Sequence, residues 1–170
     1  MNHAALILAS GSPRRRELLS LTGLPYVVDA PEVDESCALP PEEAVQEISR
    51  RKGLAGAAAH PGCVVLSADT LVAVDGKALG KPHSEEEAFQ MLSLLSGRWH
   101  QVYTGVCAVD AQGMVHQRVV GTQVHFCPMT EEEIRRYIAT AASRWTRRAH
   151  TRYRALPGCG LTSSKARTAT

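Results

Sequence analysis

The last acidic residue of this chain is Glu133, and no Asp or Glu follows it up to Thr170. Residues 1–140 hold 12 Lys/Arg against 17 Asp/Glu, a net charge of −5. Residues 141–170 hold seven Lys/Arg and no acid, so the overall +2 averages two unlike segments. A basic tail of this kind suggests nucleic acid or an acidic surface as partner, but the acidic body gives that reading no support. Apolar runs of the roughly 18–20 residues that a membrane span needs are also lacking. The start, MNHAALILAS, has neither a basic n-region nor a small-residue cleavage site. It reads as a buried first strand rather than a signal peptide, and a cytoplasmic location is expected. Cys37, Cys63, Cys107, Cys127 and Cys159 form no CxxC and no Cys/His cluster at zinc spacing. The expectation is reduced, mostly buried thiols. Internal repeats and low-complexity linkers are missing too, and 170 residues suit one domain.

What is present alternates between strand-like and helix-like segments. Leu6–Ala9 is apolar and runs into Ser10-Gly11-Ser12-Pro13. A helix fits Pro13–Leu21, with Ser12 as N-cap, Pro13 in the first position and Gly23 beyond the end. Pro41–Ala59 predicts a second helix, weakened by Gly53 and Gly56. Cys63–Val74 has the pattern of a strand, and Asp75-Gly76 signals a hairpin. Ser84 and Glu87 have capping-box spacing for a helix over Glu85–Leu95, which Gly97 stops. His100–Val109 and Val115–Phe126 are strand-like, joined at Gln112-Gly113. Thr130 and Glu133 repeat the capping box for a helix to about Ala139. The interleaving predicts an α/β or α+β class with a mixed sheet. From about Ala141 no apolar period at 2 or 3.6 is found, and the composition is that of a disordered segment.

Four places could carry chemistry. In LASGSPRRRELL, a strand, a Gly/Ser turn and a helix start aim backbone N–H groups and a positive helix end at one point. Arg14 and Arg15 stand in the first helical turn, against the helix dipole. Such a placement is either a solvated basic turn or a phosphate clamp, since guanidiniums bind phosphate oxygens bidentately. The spacing is not that of a Walker A loop. In LSADTLVAVDGKALGKP, Asp69 stands inside an apolar strand and calls for a partner: a metal, a lysine or a proton to move. Lys81, in Gly80-Lys81-Pro82, is the natural candidate across the hairpin; a structural Asp bonded to turn amides is the alternative. In PEVDES, Glu32, Asp34 and Glu35 form an acidic loop after a strand. Such loops are usually solvated, but with Asp69 this one could supply oxygen ligands for Mg²⁺. Lys52 follows Arg50-Arg51 and reads most simply as an exposed helix face. Together these features suit phosphoryl-transfer or phosphoanhydride chemistry.

In that order, LASGSPRRRELL, VDE, SADTLVAVDGKALGKP and EEAFQMLSLLSGRWHQVYTGVCAV resemble the Maf family of nucleotide pyrophosphatases over about residues 5–140. The resemblance implies a two-lobed α/β fold with a central cleft, related to inosine-triphosphate pyrophosphatases. It implies hydrolysis of a nucleoside triphosphate to the monophosphate and pyrophosphate, with a divalent cation such as Mg²⁺ or Mn²⁺. Carried over by position, Ser10, Ser12, Arg14 and Arg15 match the phosphate-binding turn. Lys52 matches a basic substrate-binding position, and Thr70 a specificity position. Asp69 matches the general base, Glu35 the acid of the VDE loop, and Lys81 the lysine of the GKP turn. Glu35 and Asp69 are the implied metal ligands. The SPRR form of the turn is similar to the dTTP/UTP branch. No membrane partner is expected, nucleic acid is disfavoured, and a homodimer is left open.

The departure from the family lies in the tail, where a segment resembling GEPLDKAGAYAIQG should follow YIAT. Codons for Ser143-Arg144-Trp145-Thr146 must contain TGG followed by AC. Shifted by one frame, these give a forced Asp, preceded by Leu if the codon is CTG. Thr146–Thr151 can then give Lys-Ala-Gly-Ala-Tyr, and Arg152–Ala155 can give Ala, Ile or Val, then Gln-Gly. Gly160–Thr170 can give Val-Asn-Glu-Leu-Lys-Gly-Thr-Tyr-Ser-Asn. The expectation is therefore a Maf-like domain over residues 1–140 and an out-of-frame, poorly structured tail over 141–170, natural or a sequencing error. The rival expectation is an inactive remnant, or a nucleotide- or nucleic-acid-binding module that uses the basic tail.

Overall fold

Eleven elements follow one another along the chain in the computed structural model, which describes residues 5–145 and 164–169. They are β1 (Leu6–Leu8), α1 (Pro13–Ser20), β2 (Tyr26–Val28), α2 (Pro41–Ala59), β3 (Val64–Val74), β4 (Lys77–Leu79), α3 (Glu85–Leu95), β5 (Trp99–Val109), β6 (Val115–His125), α4 (Glu131–Trp145) and β7 (Ser164–Ala169). The strands form one mixed sheet in the order β2-β1-β3-β5-β6-β7, with β4 paired to β3. β1 runs parallel to both neighbours, Leu6 lying opposite Tyr26 and Val64. β3 and β4 are antiparallel. The α/β class with a mixed sheet is as the sequence implies.

Local chemistry explains most boundaries. Asp75 and Gly76 both have positive φ, 50° and 75°, the backbone of a tight two-residue hairpin. At α3 the Ser84 hydroxyl accepts from Glu87 N at 3.1 Å, while Glu87 Oε2 accepts from His83 N, one residue before the expected position. At α4 the box is reciprocal: Glu133 N donates to Thr130 Oγ1 and Thr130 N to Glu133 Oε2. The bonds that Thr130 N and Oγ1 donate to the carboxylate hold Glu133 below its usual range. Two expectations are corrected here. The Ser12 side chain does not cap α1; Ser12 N instead donates to Ser10 Oγ. And α4 runs on to Trp145 rather than stopping near Ala139, while Ser164–Ala169 forms a strand in a stretch without apolar alternation. The rest of the segment 146–163, and Cys159 with it, lies outside the described residues.

The chain divides into two compact units, and β3, β5 and β6 contribute residues to both. In the first, Ile7, Ala9, Val65, Cys107 and Val109 form the core, with Ala57 and Cys63 packed against it. Helix α2 comes close to the strands there. A Cβ on Gly53 would stand 2.9 Å from Cys107 Sγ, and one on Gly56 2.9 Å from Val65 Cγ1. The glycines that weaken this helix in propensity are what let it approach the strands. In the second unit, Ala88 and Leu92 of α3 pack with Ile134 and Ile138 of α4. Val72, Val74 and Leu95 form a further cluster there. Cys37, Cys63, Cys107 and Cys127 are free thiols, of which Cys107 alone is buried and has its pKa pushed up by that burial. The other three are half-buried, so the expectation of mostly buried thiols is corrected. Among the described residues no helix is long and apolar enough to cross a membrane.

Candidate active site

Three elements of the first unit converge on one buried lysine. Lys52 sits on α2, only 8% exposed, and its Nζ lies 2.7 Å from Asp69 Oδ1 and 2.7 Å from Glu35 Oε1. Asp69 is buried in β3 and Glu35 projects from the acidic loop after β2. This overturns two expectations. Lys52 does not belong to an exposed helix face, and the ammonium that meets Asp69 is that of Lys52 rather than Lys81. The reason is helical geometry. Arg50 and Arg51 take the solvent side, where both pair with Glu47, while position 52 turns toward the strands with Ser49 and Gly53. The alkyl stem of a lysine can lie along packed surface and deliver its charge to carboxylates that would otherwise be buried unpaired.

Beside this triad stands the Gly/Ser turn. Arg15 donates from Nη1 to Ser10 Oγ at 2.9 Å and from Nη2 to Thr70 Oγ1 at 3.4 Å. Ser10 Oγ also accepts from Ser12 N at 3.3 Å, so one buried hydroxyl ties the turn to the guanidinium. Burial pushes the Arg15 guanidinium down from its usual range, and the nearby carboxylates of Asp69 and Glu35 oppose the shift. Those two carboxylates and Arg15 thus share one electrostatic neighbourhood. Arg14 points to solvent and makes no hydrogen bond or ion pair with a described residue. Arg16 donates to Gly11 O, while its buried Nε has no hydrogen-bond partner among the described residues.

Of the three acids of the loop, only Glu35 reaches the lysine. Asp34 is spent locally: it accepts from Ser36 N and Oγ, and those bonds lower its pKa. Arg51 fastens the loop to α2 through the carbonyls of Asp34 and Ser36. Glu32 is exposed. Lys81 lies in the second unit, exposed on the loop between β4 and α3, whereas Ser10, Ser12, Arg14, Arg15, Glu35, Lys52, Asp69 and Thr70 all fall in the first.

One residue of this network carried no signal of its own in the sequence. Thr104, on β5, places Oγ1 3.1 Å from Thr70 Oγ1. The Arg15 contact uses a lone pair of Thr70, so the Thr70 hydroxyl proton is free to point at Thr104. Only the strand order, which sets β5 beside β3, brings the two threonines together.

Two carboxylates on one cation suit a divalent metal. Mg²⁺ is commonly held by one or two carboxylates and completed by substrate phosphates. Glu35 and Asp69 could supply the two, and Asp69 Oδ2 accepts no hydrogen bond from a described residue. Clusters of three or more His, Cys, Asp or Glu that could hold a metal by themselves are absent among the described residues.

The model of the family described as Maf-like protein matches residues 5–149. This chain belongs to that family. A dTTP/UTP pyrophosphatase of Symbiobacterium thermophilum is 49% identical over 139 residues, which cover 79% of this chain and 70% of that protein. A dTTP/UTP pyrophosphatase of Chlorobaculum tepidum is 48% identical over 143 residues, 81% of this chain and 72% of that one. A third, of Moorella thermoacetica, is 46% identical over 141 residues, 79% and 71%. Among solved structures, the Staphylococcus aureus Ham1 protein overlaps 72% of this Maf-like chain and 71% of its own at a TM-score of 0.49 and 12% identity. A dITP/XTP pyrophosphatase of Mycobacterium abscessus overlaps 74% and 75% at 0.46 and 16%.

Proposed function

We propose that this Maf-like protein hydrolyses dTTP and UTP, or related modified nucleotides, to the monophosphate and pyrophosphate. The observation that carries the proposal is the meeting of Asp69 and Glu35 on the buried Lys52 ammonium, beside an arginine held in a Gly/Ser turn. Three relatives at 46–49% identity that bear the name dTTP/UTP pyrophosphatase support the choice of substrate.

In this reading Ser10, Ser12, Arg14 and Arg15 receive the phosphate chain, with Lys52 as a further cationic contact. Arg15 is already oriented by Ser10 and Thr70, so little freedom is lost when it binds. Thr70 contributes to substrate choice. Asp69 takes a proton from water, the water oxygen attacks the α-phosphorus, and the bond from that phosphorus to the bridging oxygen breaks. Pyrophosphate leaves and the nucleotide retains one phosphate. Glu35 and Asp69 would hold a divalent cation, Mg²⁺ or Mn²⁺, which when bound neutralises charge developing on the phosphate oxygens.

Residues 1–140 form the body of this domain in the proposal, and residues from about 141 are an out-of-frame product. Support for a departure in the tail comes from the family match, which ends at residue 149 and leaves residues 150–170 unmatched. It comes equally from the codons that the protein sequence allows, because each shifted step restricts bases yet can give the family segment in order.

The test of the activity is to incubate dTTP with the protein and identify products. Equimolar dTMP and pyrophosphate are expected; dTDP with orthophosphate would contradict attack at the α-phosphorus. Asp69→Asn, on a chain with its C-terminal frame restored, should lower the rate by about 10²-fold or more while nucleotide binding persists. A loss smaller than about threefold would remove Asp69 from the role of base.

A further inference from the structure

Lys52 does something that no residue of a phosphate clamp needs to do: it binds two carboxylates at once. Its ammonium touches Asp69 Oδ1 and Glu35 Oε1 at the same distance, 2.7 Å. Both oxygens therefore crowd about one point, and that point is already filled by a cation. Mg²⁺ would contact the same oxygens at about 2.0–2.1 Å, so a divalent ion that bridged them would claim the volume Nζ occupies. Ammonium and metal cannot both stay. Arg15, a cation of the neighbouring turn, is not in competition for that point, because its two terminal nitrogens are committed to Ser10 and Thr70.

We propose that Lys52 is the resident counter-ion of the Glu35–Asp69 pair, and that a divalent cation enters by displacing it. The inference rests on the metal role given to those two carboxylates above. Lys52 then has two positions in sequence. Before the cation arrives, it cancels one of two like charges and holds the acidic loop against α2 and β3. Once displaced, the ammonium is released beside the arginine-bearing turn, where an anionic ligand can take it up. The site so built discourages tight metal binding before the phosphate chain is there to receive Lys52, which couples cation and nucleotide binding. The coupling requires no motion beyond one flexible side chain of α2.

Two measurements on the full chain test this. In the first, Mn²⁺ binding is measured by calorimetry at a pH near 8. Lys52→Met should bind Mn²⁺ about tenfold or more tightly than the parent, in keeping with the roughly one to three decades that a neighbouring charge exerts at this range. Unchanged or weaker binding, or no binding by either protein, overturns the proposal. The second uses the parent protein alone, so it stands even if Lys52→Met fails to fold. The rate at which an acylating reagent modifies Lys52 is followed by mass spectrometry, with the exposed Lys77 as internal reference. Saturating Mn²⁺ should speed modification of Lys52 relative to Lys77 by about threefold or more, since the freed amine has lost both carboxylate partners. An equal or slower rate overturns the displacement. Hydrolysis of dTTP is assayed separately, on the chain with its C-terminal frame restored: its absence alongside the Mn²⁺ effects would sink the proposed activity and leave the Lys52 exchange standing.

Discussion

At the scale of single residues, the Asp69 carboxylate, buried in a strand, meets the Lys52 ammonium at 2.7 Å. Asp69 was legible because a carboxylate in an apolar strand must be compensated. Which cation compensates it was not, since β3 could in principle be met by any neighbouring element. Lys52 is hard to tell from its neighbours in the sequence because three consecutive basic residues resemble a solvated face, and only the rotation of α2 against the strands separates position 52 from 50 and 51. Arg14 and Arg15 look alike in the sequence, yet the structure commits Arg15 to Ser10 and Thr70 and leaves Arg14 in solvent. An exposed guanidinium can reach the far end of a phosphate chain but has little reason to meet a monophosphate. Arg14→Ala should therefore weaken dTTP binding several-fold, consistent with about 1.5–3 kcal/mol for a hydrogen bond to a charged group, discounted for exposure. Binding of dTMP should hardly change. Equal losses for the two nucleotides in a calorimetric titration would show that Arg14 is no phosphate contact.

At the scale of elements, the caps, the hairpin and the strand periods placed most boundaries within a residue or two. The glycines of α2 were harder, because propensity sees only their cost. Gly53→Ala should gain about 1 kcal/mol of helix propensity. Against this, the new methyl would meet Cys107 Sγ at 2.9 Å and Ser67 Oγ at 3.0 Å. Ser67 cannot give way easily, since its hydroxyl is bonded to the carbonyls of Ser49 and Cys107. Overpacking costs about 1–3 kcal/mol, so the steric effect should win and Tm should fall by several degrees. A rise in Tm would mean that α2 has room to lift. In the second unit, His100 on β5 is buried edge-on against Phe126, and its Nδ1 has no hydrogen-bond partner among the described residues. Burial lowers its pKa from 6.5, and His125 adds to the shift while a backbone bond at Arg98 opposes it. The native state thus resists a proton that the unfolded chain accepts. The stabilisation is whole above pH about 6.5 and is lost as pH falls below it. His100→Gln should flatten the decline of Tm between pH about 7.5 and 5.5, whatever it does to Tm at the upper end. A slope equal to the parent's would assign the decline to other groups.

At the scale of the whole molecule, the abrupt change of composition near residue 141 bears directly on activity. Seven cations without a single acid cannot be internal ion pairs, and the segment has no apolar period of its own to drive a face into a core. On the proposed frameshift, the shifted codons can give DKAGAY followed by Gln-Gly, which would bring an Asp, a Lys and a Gln in place of that run of arginines. That segment also restores a mixed-sign, half-apolar composition of the kind that folds. Restoring the frame from about Ala141 should therefore raise Tm and increase the rate of dTTP hydrolysis by an order of magnitude or more. The rate effect follows because positioning groups, which act together, are worth decades rather than small factors. Both chains would be expressed from genes that differ only by the frame correction, and compared by thermal melting and pyrophosphate release. Parent and corrected chains that melt together and hydrolyse dTTP equally fast would show that the basic tail is a working part of this protein.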